Sequence, residues 1–137
     1  MLVQPYLNFD GRCEEAVNFY VKAIGAKQEF LMRVGETPGG SPPGMNVPAE
    51  KIMHASFRIG DSVIMASDCY CAGQPKFQGV TLSISVGDEA EADRVFNALA
   101  DGGTVKMPLG KTFFSPRFGM VEDKFGLGWM VIIPAPM

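Results

Sequence analysis

One order of predicted elements, strand–helix–strand–strand–strand, occurs twice in this chain and limits the folds that it can adopt. The helices are the clearest trace of the repeat, with the sequences AVNFYVKAIGA in the first half and ADRVFNALADGG in the second. In both, apolar residues recur at helical spacing and a glycine follows the last of them. Because one helix cannot cover a four-stranded sheet alone, we expect the two halves to fold together as a single domain.

In the first half, period-two alternation and turn residues predict four strands around one helix. The predicted strands are residues 3–9, 27–34, 52–59 and 62–68. The helix begins after Asp10 and Gly11 and stops at Gly25, as its apolar spacing indicates. Gly60 and Asp61 are typical of a two-residue hairpin turn between the last two strands. A loop rich in Gly and Pro, residues 35–50, precedes that hairpin.

The second half repeats this order. Its predicted strands are residues 79–86, 104–108, 112–122 and 127–133, and residues 123–126 form the last turn. The helix is predicted over residues 88–101, with Asp88 and Glu91 placed as a capping box. The sequence therefore predicts an α+β protein of one domain, 1–137, in which βαβββ modules 1–71 and 79–137 are joined by a linker, 72–78.

Composition and charge exclude several classes of protein. A chain of 137 residues that is 47% hydrophobic can bury a core, and no apolar run reaches the roughly 18 residues of a membrane span. The net charge is −3 and basic residues are scattered, so we expect no nucleic-acid partner. The N-terminus lacks a secretory pattern, and an odd set of cysteines (Cys13, Cys69 and Cys71) favours reduced thiols. We therefore expect a cytoplasmic protein that does not bind membranes.

The single histidine, His54, alternates with the apolar residues of its strand. A helix must cover the apolar side of that strand, so His54 and Ser56 are expected on the opposite face. The two-residue turn would pair His54 with Ser67 and Ser56 with Met65, on the same face. His54 then either hydrogen-bonds Ser67 or contacts a ligand. The same reasoning puts Thr81 and Ser83 on the face away from the helix, and a four-residue last turn puts Arg117 on the Met130 face.

Three segments, QPYLNFDGRCEEAVNFY, HASFRIGDSVIMASD and FGMVEDKFGLGWMV, resemble the PhnB-like branch of the vicinal oxygen chelate superfamily, which includes glyoxalase and bleomycin resistance proteins. That branch is often labelled demethylubiquinone methyltransferase-like. The resemblance implies two βαβββ modules, a cupped mixed sheet and a homodimer. It also assigns the metal-ligand positions of metal-using members to Pro5, Met65, Thr81 and Met130. None is a usual ligand for a hard or borderline divalent ion.

We therefore expect metal-independent binding of a small amphiphilic or aromatic molecule in an apolar groove, similar to bleomycin resistance proteins, with no cofactor. One alternative is a glyoxalase- or dioxygenase-like enzyme with a nonstandard metal site near His54. Another is a methyltransferase-like activity, implied only by the family label. The residues expected to contact the small-molecule ligand are Pro5, Leu7, His54, Ser56, Met65, Ser67, Thr81, Ser83, Arg117 and Met130.

Overall fold

The computed structural model describes residues 1–41, 43–44, 46–68 and 76–134. The chain divides into two compact units, Met1–Pro75 and Lys76–Met137. Each unit contains one helix and a four-stranded mixed sheet. The α+β class and the repeated βαβββ order predicted from the sequence are confirmed.

The first unit consists of β1 (Tyr6–Asn8), α1 (Cys13–Ile24), β2 (Lys27–Arg33), β3 (Ile52–Ile59) and β4 (Ser62–Ser67). The strand order in its sheet is β1-β4-β3-β2. β1 runs parallel to β4, and the other neighbours are antiparallel. Gly60, at φ 57°, allows the two-residue turn between β3 and β4, in which Ile59 pairs with Ser62 as predicted.

Helix α1 covers one face of this sheet. Its buried side consists of Cys13, Ala16, Val17 and Tyr20. The ring of Tyr20 stacks on that of Phe57 in β3, with centroids 5.7 Å apart. Phe57 and the alternate residue Ala55 are fully buried. We call the side of each sheet that packs on its helix the helix face, and the opposite side the open face.

Asp68, directly after β4, connects the sheet to the start of α1. Its carboxylate is 3% exposed and accepts hydrogen bonds from the backbone N–H groups of Gly11 (2.6 Å), Cys13 (2.9 Å) and Ile52 (2.8 Å). The first N–H groups of a helix lack partners within the helix, and a carboxylate there also interacts favourably with the helix dipole. Asp68 therefore holds α1 against the sheet.

The second unit consists of β5 (Thr81–Ser85), α2 (Glu89–Ala100), β6 (Thr104–Gly110), β7 (Phe118–Glu122) and β8 (Gly128–Ile132). The strand order is β5-β8-β7-β6, with β5 and β8 parallel. The side chain of Asp88 caps α2 by accepting a 2.7 Å hydrogen bond from the N–H of Glu91. β7 begins later than predicted because residues 112–115 form a turn held by Thr112 and Ser115.

Both helices have 12 residues, and none in the described part of the chain is long and apolar enough to cross a lipid bilayer.

Candidate functional site

The open face of the first unit carries an aromatic cluster around His54. The imidazole Nδ1 lies 3.0 Å from the hydroxyl oxygen of Tyr6. The ring centroid of His54 is 5.6 Å from that of Tyr6 and 5.9 Å from that of Phe30. Tyr6 is 38% exposed and Phe30 45% exposed, so the cluster is accessible to solvent. Because the hydroxyl occupies Nδ1, Nε2 is the imidazole nitrogen that can meet a ligand.

The strand register explains why these rings meet. Tyr6 of β1 pairs with Met65 of β4, Met65 pairs with Ser56 of β3, and Ser56 pairs with Phe30 of β2. Residues that pair across neighbouring strands share a face, so these four form one row on the open face. His54 lies two residues from Ser56 and pairs with Met32. Aromatic rings and thioethers therefore surround the imidazole.

Asn8 adds an acceptor beside this cluster. It lies two residues after Tyr6 on β1 and therefore on the same face. Its Oδ1 atom is buried and has no hydrogen-bond partner among the described residues. A ligand N–H or O–H group could satisfy that oxygen, since buried acceptors are rarely left unpaired.

The predicted pairing of His54 with Ser67 is wrong. The β3–β4 ladder contains the predicted Ser56–Met65 pair but ends at Ala55 and Ala66. Ser67 is fully buried, and its hydroxyl donates a 2.8 Å hydrogen bond to the carbonyl of Met53. The imidazole bonds to Tyr6 and not to Ser67. The role of Ser67 is structural, because its hydroxyl joins the ends of β3 and β4.

The prediction for the first strand is wrong by one residue. Leu7 is 4% exposed and pairs with Ala66, so it lies on the helix face. Pro5 is exposed and precedes β1, where its carbonyl accepts a 3.0 Å hydrogen bond from the N–H of Met65. Tyr6 takes the position on the open face that Pro5 was expected to hold. The alternation of apolar odd residues with polar even residues in 3–9 would have found it, because the helix covers the apolar side.

The open face of the second unit carries a different set of side chains. Phe118 of β7, two residues from Met120, has its ring centroid 5.0 Å from that of Phe114, which lies 5.1 Å from that of Phe113. Met130 of β8 pairs with Ser83 of β5 and with Met120 of β7. Thr81 is exposed and pairs with Gly128; each lies two residues before the corresponding member of the Ser83–Met130 pair.

Equivalent hydrogen bonds align the two units. The bond from the N–H of Phe9 to the carbonyl of Ser67 matches that from Val86 to Ile132. Phe9 therefore corresponds to Val86, and Ser67 to Ile132. Three residues before the donors, Tyr6 corresponds to Ser83. Two residues before the acceptors, Met65 corresponds to Met130. Pro5 and Thr81, the positions that the resemblance assigns in the first strands of the two units, are therefore not equivalent.

Arg117 lies on the helix face, contrary to the prediction. Its guanidinium is 3.1 Å from the carboxylate of Asp93 and 3.5 Å from that of Glu89, both on α2. Glu122 pairs with Gly128, so Met120, and not Gly119, pairs with Met130. A shift of one residue moves every side chain of a strand to the other face.

The corrected positions do not fit a hard divalent ion. The residues at the family's ligand positions are Tyr6, Met65, Ser83 and Met130, which offer a phenol, a hydroxyl and two thioethers. Divalent ions such as Zn²⁺ and Mn²⁺ are held by imidazole, carboxylate or thiolate groups. Among the described residues there is no group of three His, Cys, Asp or Glu side chains that could hold a metal. Cys69 and Cys71 lie outside the described residues.

The similarity to known proteins extends over nearly the whole chain. Residues 2–132 match the family described as 3-demethylubiquinone-9 3-methyltransferase. Protein YjdN of Escherichia coli K12 is 36% identical, over 96% of this chain and 94% of that protein. The structure of protein PA1353 from Pseudomonas aeruginosa is 39% identical, with a TM-score of 0.84 and 98% of both chains covered.

Two further solved structures are similar to this chain. A putative 3-demethylubiquinone-9 3-methyltransferase, PhnB protein, from Bacillus cereus is 27% identical with a TM-score of 0.80, over 97% of this chain and 99% of that chain. A glyoxalase/bleomycin resistance protein from Albidiferax ferrireducens has a TM-score of 0.63, over 98% of this chain and 99% of that chain. At 18% identity, the second likeness shows the fold alone.

Proposed function

We propose that this chain, which belongs to the 3-demethylubiquinone-9 3-methyltransferase-like (PhnB-like) family, binds a small aromatic or amphiphilic molecule without a divalent metal. The contact surface is the open face of the first unit. The observation that carries the proposal is the position of His54 between the exposed rings of Tyr6 and Phe30.

This surface combines apolar contact area with a few directed polar groups, as small-molecule sites do. Rings that pack offset or edge-on against Tyr6 and Phe30 would each gain about 0.5–1.5 kcal/mol beyond the burial of their area. Met32 and Met65 can adapt to the outline of an apolar ligand. Nε2 of His54 supplies the group that orients the polar end of the molecule.

The two enzymatic alternatives find less support in the residues. A metal-dependent reaction would need ligands that the positions of Tyr6, Met65, Ser83 and Met130 do not provide. A Rossmann-type methyltransferase uses a parallel sheet with a Gly-rich turn that leads from a strand into a helix. Each sheet here has four strands and only one parallel pair. The family label alone therefore supports no methyl transfer by this fold.

The binding proposal is tested by titration with the fluorescent probe 1-anilinonaphthalene-8-sulfonate. Phe30→Leu should weaken binding about 2- to 12-fold, which corresponds to the loss of one aromatic contact. Met65→Glu should weaken it more, because an apolar ligand would have to strip water from the carboxylate. Phe113→Leu is the matched control, since Phe113 is 100% exposed and its ring packs on that of Phe114, outside the rings around His54.

Circular dichroism would check that each variant is folded. If Phe30→Leu and Met65→Glu both bind the probe as tightly as the parent, the aromatic cluster is not the binding surface. If Phe113→Leu alone weakens binding, the probe binds at a different place and the proposal fails.

We also propose that the protein is a homodimer. In the described part of the chain, β2 pairs only with β3, and β6 pairs only with β7. Such edge strands present unpaired backbone groups that a second copy could cover. Light scattering at micromolar concentration should give twice the chain mass of 14.8 kDa, and a mass of one chain would refute the dimer.

A further inference from the structure

Three methionines form one row across adjacent strands on the open face of the second unit. Met107 of β6 pairs with Met120 of β7, and Met120 pairs with Met130 of β8. Met107 is 44% exposed, and the other two are partly exposed. We call these three residues the methionine row.

The fold itself does not require methionine at these positions. In the first unit the equivalent residues are Phe30, Ser56 and Met65, which contain a single thioether. The row is also not ordinary core, because core side chains are fully enclosed whereas Met107 is nearly half exposed. The accumulation of three thioethers is therefore a property of this unit and not of the repeated architecture.

We propose that the methionine row binds a soft monovalent metal ion, Cu(I) or its redox-stable analogue Ag(I). Thioether sulfur is a soft ligand that selects Cu(I) over hard and borderline divalent ions. Met120 and Met130 pair directly in a regular ladder, which places their Cβ atoms about 4.5–5.5 Å apart. Met107 opposes Met120 at an irregular position, between two register shifts of the β6–β7 ladder. Met120 is central, so the flexible side chains of Met107 and Met130 can both bend toward its sulfur.

The surroundings of the row do not block such a site. Glu122, two residues from Met120 on β7, is 3.7 Å from the ammonium nitrogen of Lys106. That ion pair keeps the charge near the row balanced. The hydroxyl of Ser83 lies on the other side of Met130, as the β5–β8 register shows. The methionine row shares no residue with the aromatic cluster around His54, so a failed Ag(I) titration would leave the proposed ligand-binding function standing.

The experiment uses protein whose nine methionines carry a ¹³C-methyl label, titrated with silver nitrate in chloride-free buffer. A Cys69→Ser/Cys71→Ser background removes two competing thiols. One equivalent of Ag(I) should shift three methyl signals, those of Met107, Met120 and Met130. Replacing each of them by Leu assigns its signal with little change in volume.

Met120→Leu should weaken Ag(I) binding at least about tenfold, since even changes to groups behind the ligands of a metal site cost roughly 10–100-fold. Met53→Leu, on β3 and outside both proposed sites, is the matched control and should bind as the parent does. Equal affinity of Met120→Leu and the parent would overturn the proposal. So would a titration that shifts the signals of Met32 and Met65 in place of those of the row.

Discussion

Replacing Asp68 by alanine should cost a large part of the folding free energy, about 3–7 kcal/mol, because it leaves backbone donors without an acceptor and removes a helix cap. The N–H groups of Cys13 and Ile52 are buried, and each would lose a charge-assisted hydrogen bond. The N–H of Gly11 is only partly buried and can form a hydrogen bond with water instead. Each buried orphan donor costs about 1–3 kcal/mol, and loss of a helix cap adds about 1 kcal/mol.

Asp68→Asn separates the hydrogen bonds from the charge. The amide oxygen can still accept from Gly11 and Cys13, which both bond to Oδ1. The amide nitrogen would then face the N–H of Ile52, which bonds to Oδ2 in the parent. We therefore expect Asn to cost less than Ala, about 1–3 kcal/mol.

Urea denaturation followed by far-ultraviolet circular dichroism measures these differences as shifts in the midpoint. Asp61→Ala, in the exposed turn after β3, is the control and should stay within about 0.5 kcal/mol of the parent. The reasoning is refuted if Asp68→Ala also stays within about 1 kcal/mol of the parent, or if Asn costs more than Ala.

Two further predictions concern packing and pH. Gly119→Ala should lower the free energy of unfolding by about 1–3 kcal/mol in a denaturation experiment, because its Cβ would lie 2.8 Å from Cε2 of Phe96. The hydrogen bonds from Arg33 lower the pKa of Glu14 below 4.5, so the pair stabilises the fold at higher pH and is lost as pH falls through the lowered pKa. Glu14→Gln should thus reduce stability slightly at pH 7, and equal differences at pH 7 and in acid would contradict this.

The sequence predicts the hairpin of the first unit well because local chemistry determines it. Gly60 and Asp61 permit a two-residue turn, and that turn fixes the register of both strands. The Ser56–Met65 pair therefore agrees with the prediction. The open-face positions of His54 and Met65 follow from the same alternation.

The turn between β7 and β8 is harder to predict because the side chain of Asp123 determines its length. The carboxylate of Asp123 accepts hydrogen bonds from the N–H groups of Phe125 and Leu127 and from Nε1 of Trp129. The N–H of Asp123 in turn donates to the carbonyl of Leu127. Three residues therefore lie inside the turn instead of four, and Arg117 moves to the helix face. A tertiary contact such as that with Trp129 is not visible in local sequence patterns.

The first strand was misplaced because Pro5 was taken from the family resemblance and not from alternation. In residues 3–9 the odd positions are apolar and the even positions carry polar groups, so alternation by itself puts Tyr6 on the open face. The parallel pairing of Tyr6 with Met65, which joins residues far apart in the chain, has the same phase. Non-local pairing of this kind also brings Phe30 to His54, and for that reason the aromatic cluster was missed.

The two buried aspartates in the described part of the chain have structural roles that compete with metal binding. The carboxylates of Asp68 and Asp123 both accept several N–H groups, so a hard cation would have to displace charge-assisted hydrogen bonds to use them. His54 is bonded to Tyr6, within a surface of rings and thioethers. The rings and thioethers around His54 and in the methionine row are polarisable and weakly hydrated. Both proposals depend on that property, because an aromatic molecule and a soft monovalent ion each bind such groups in preference to water.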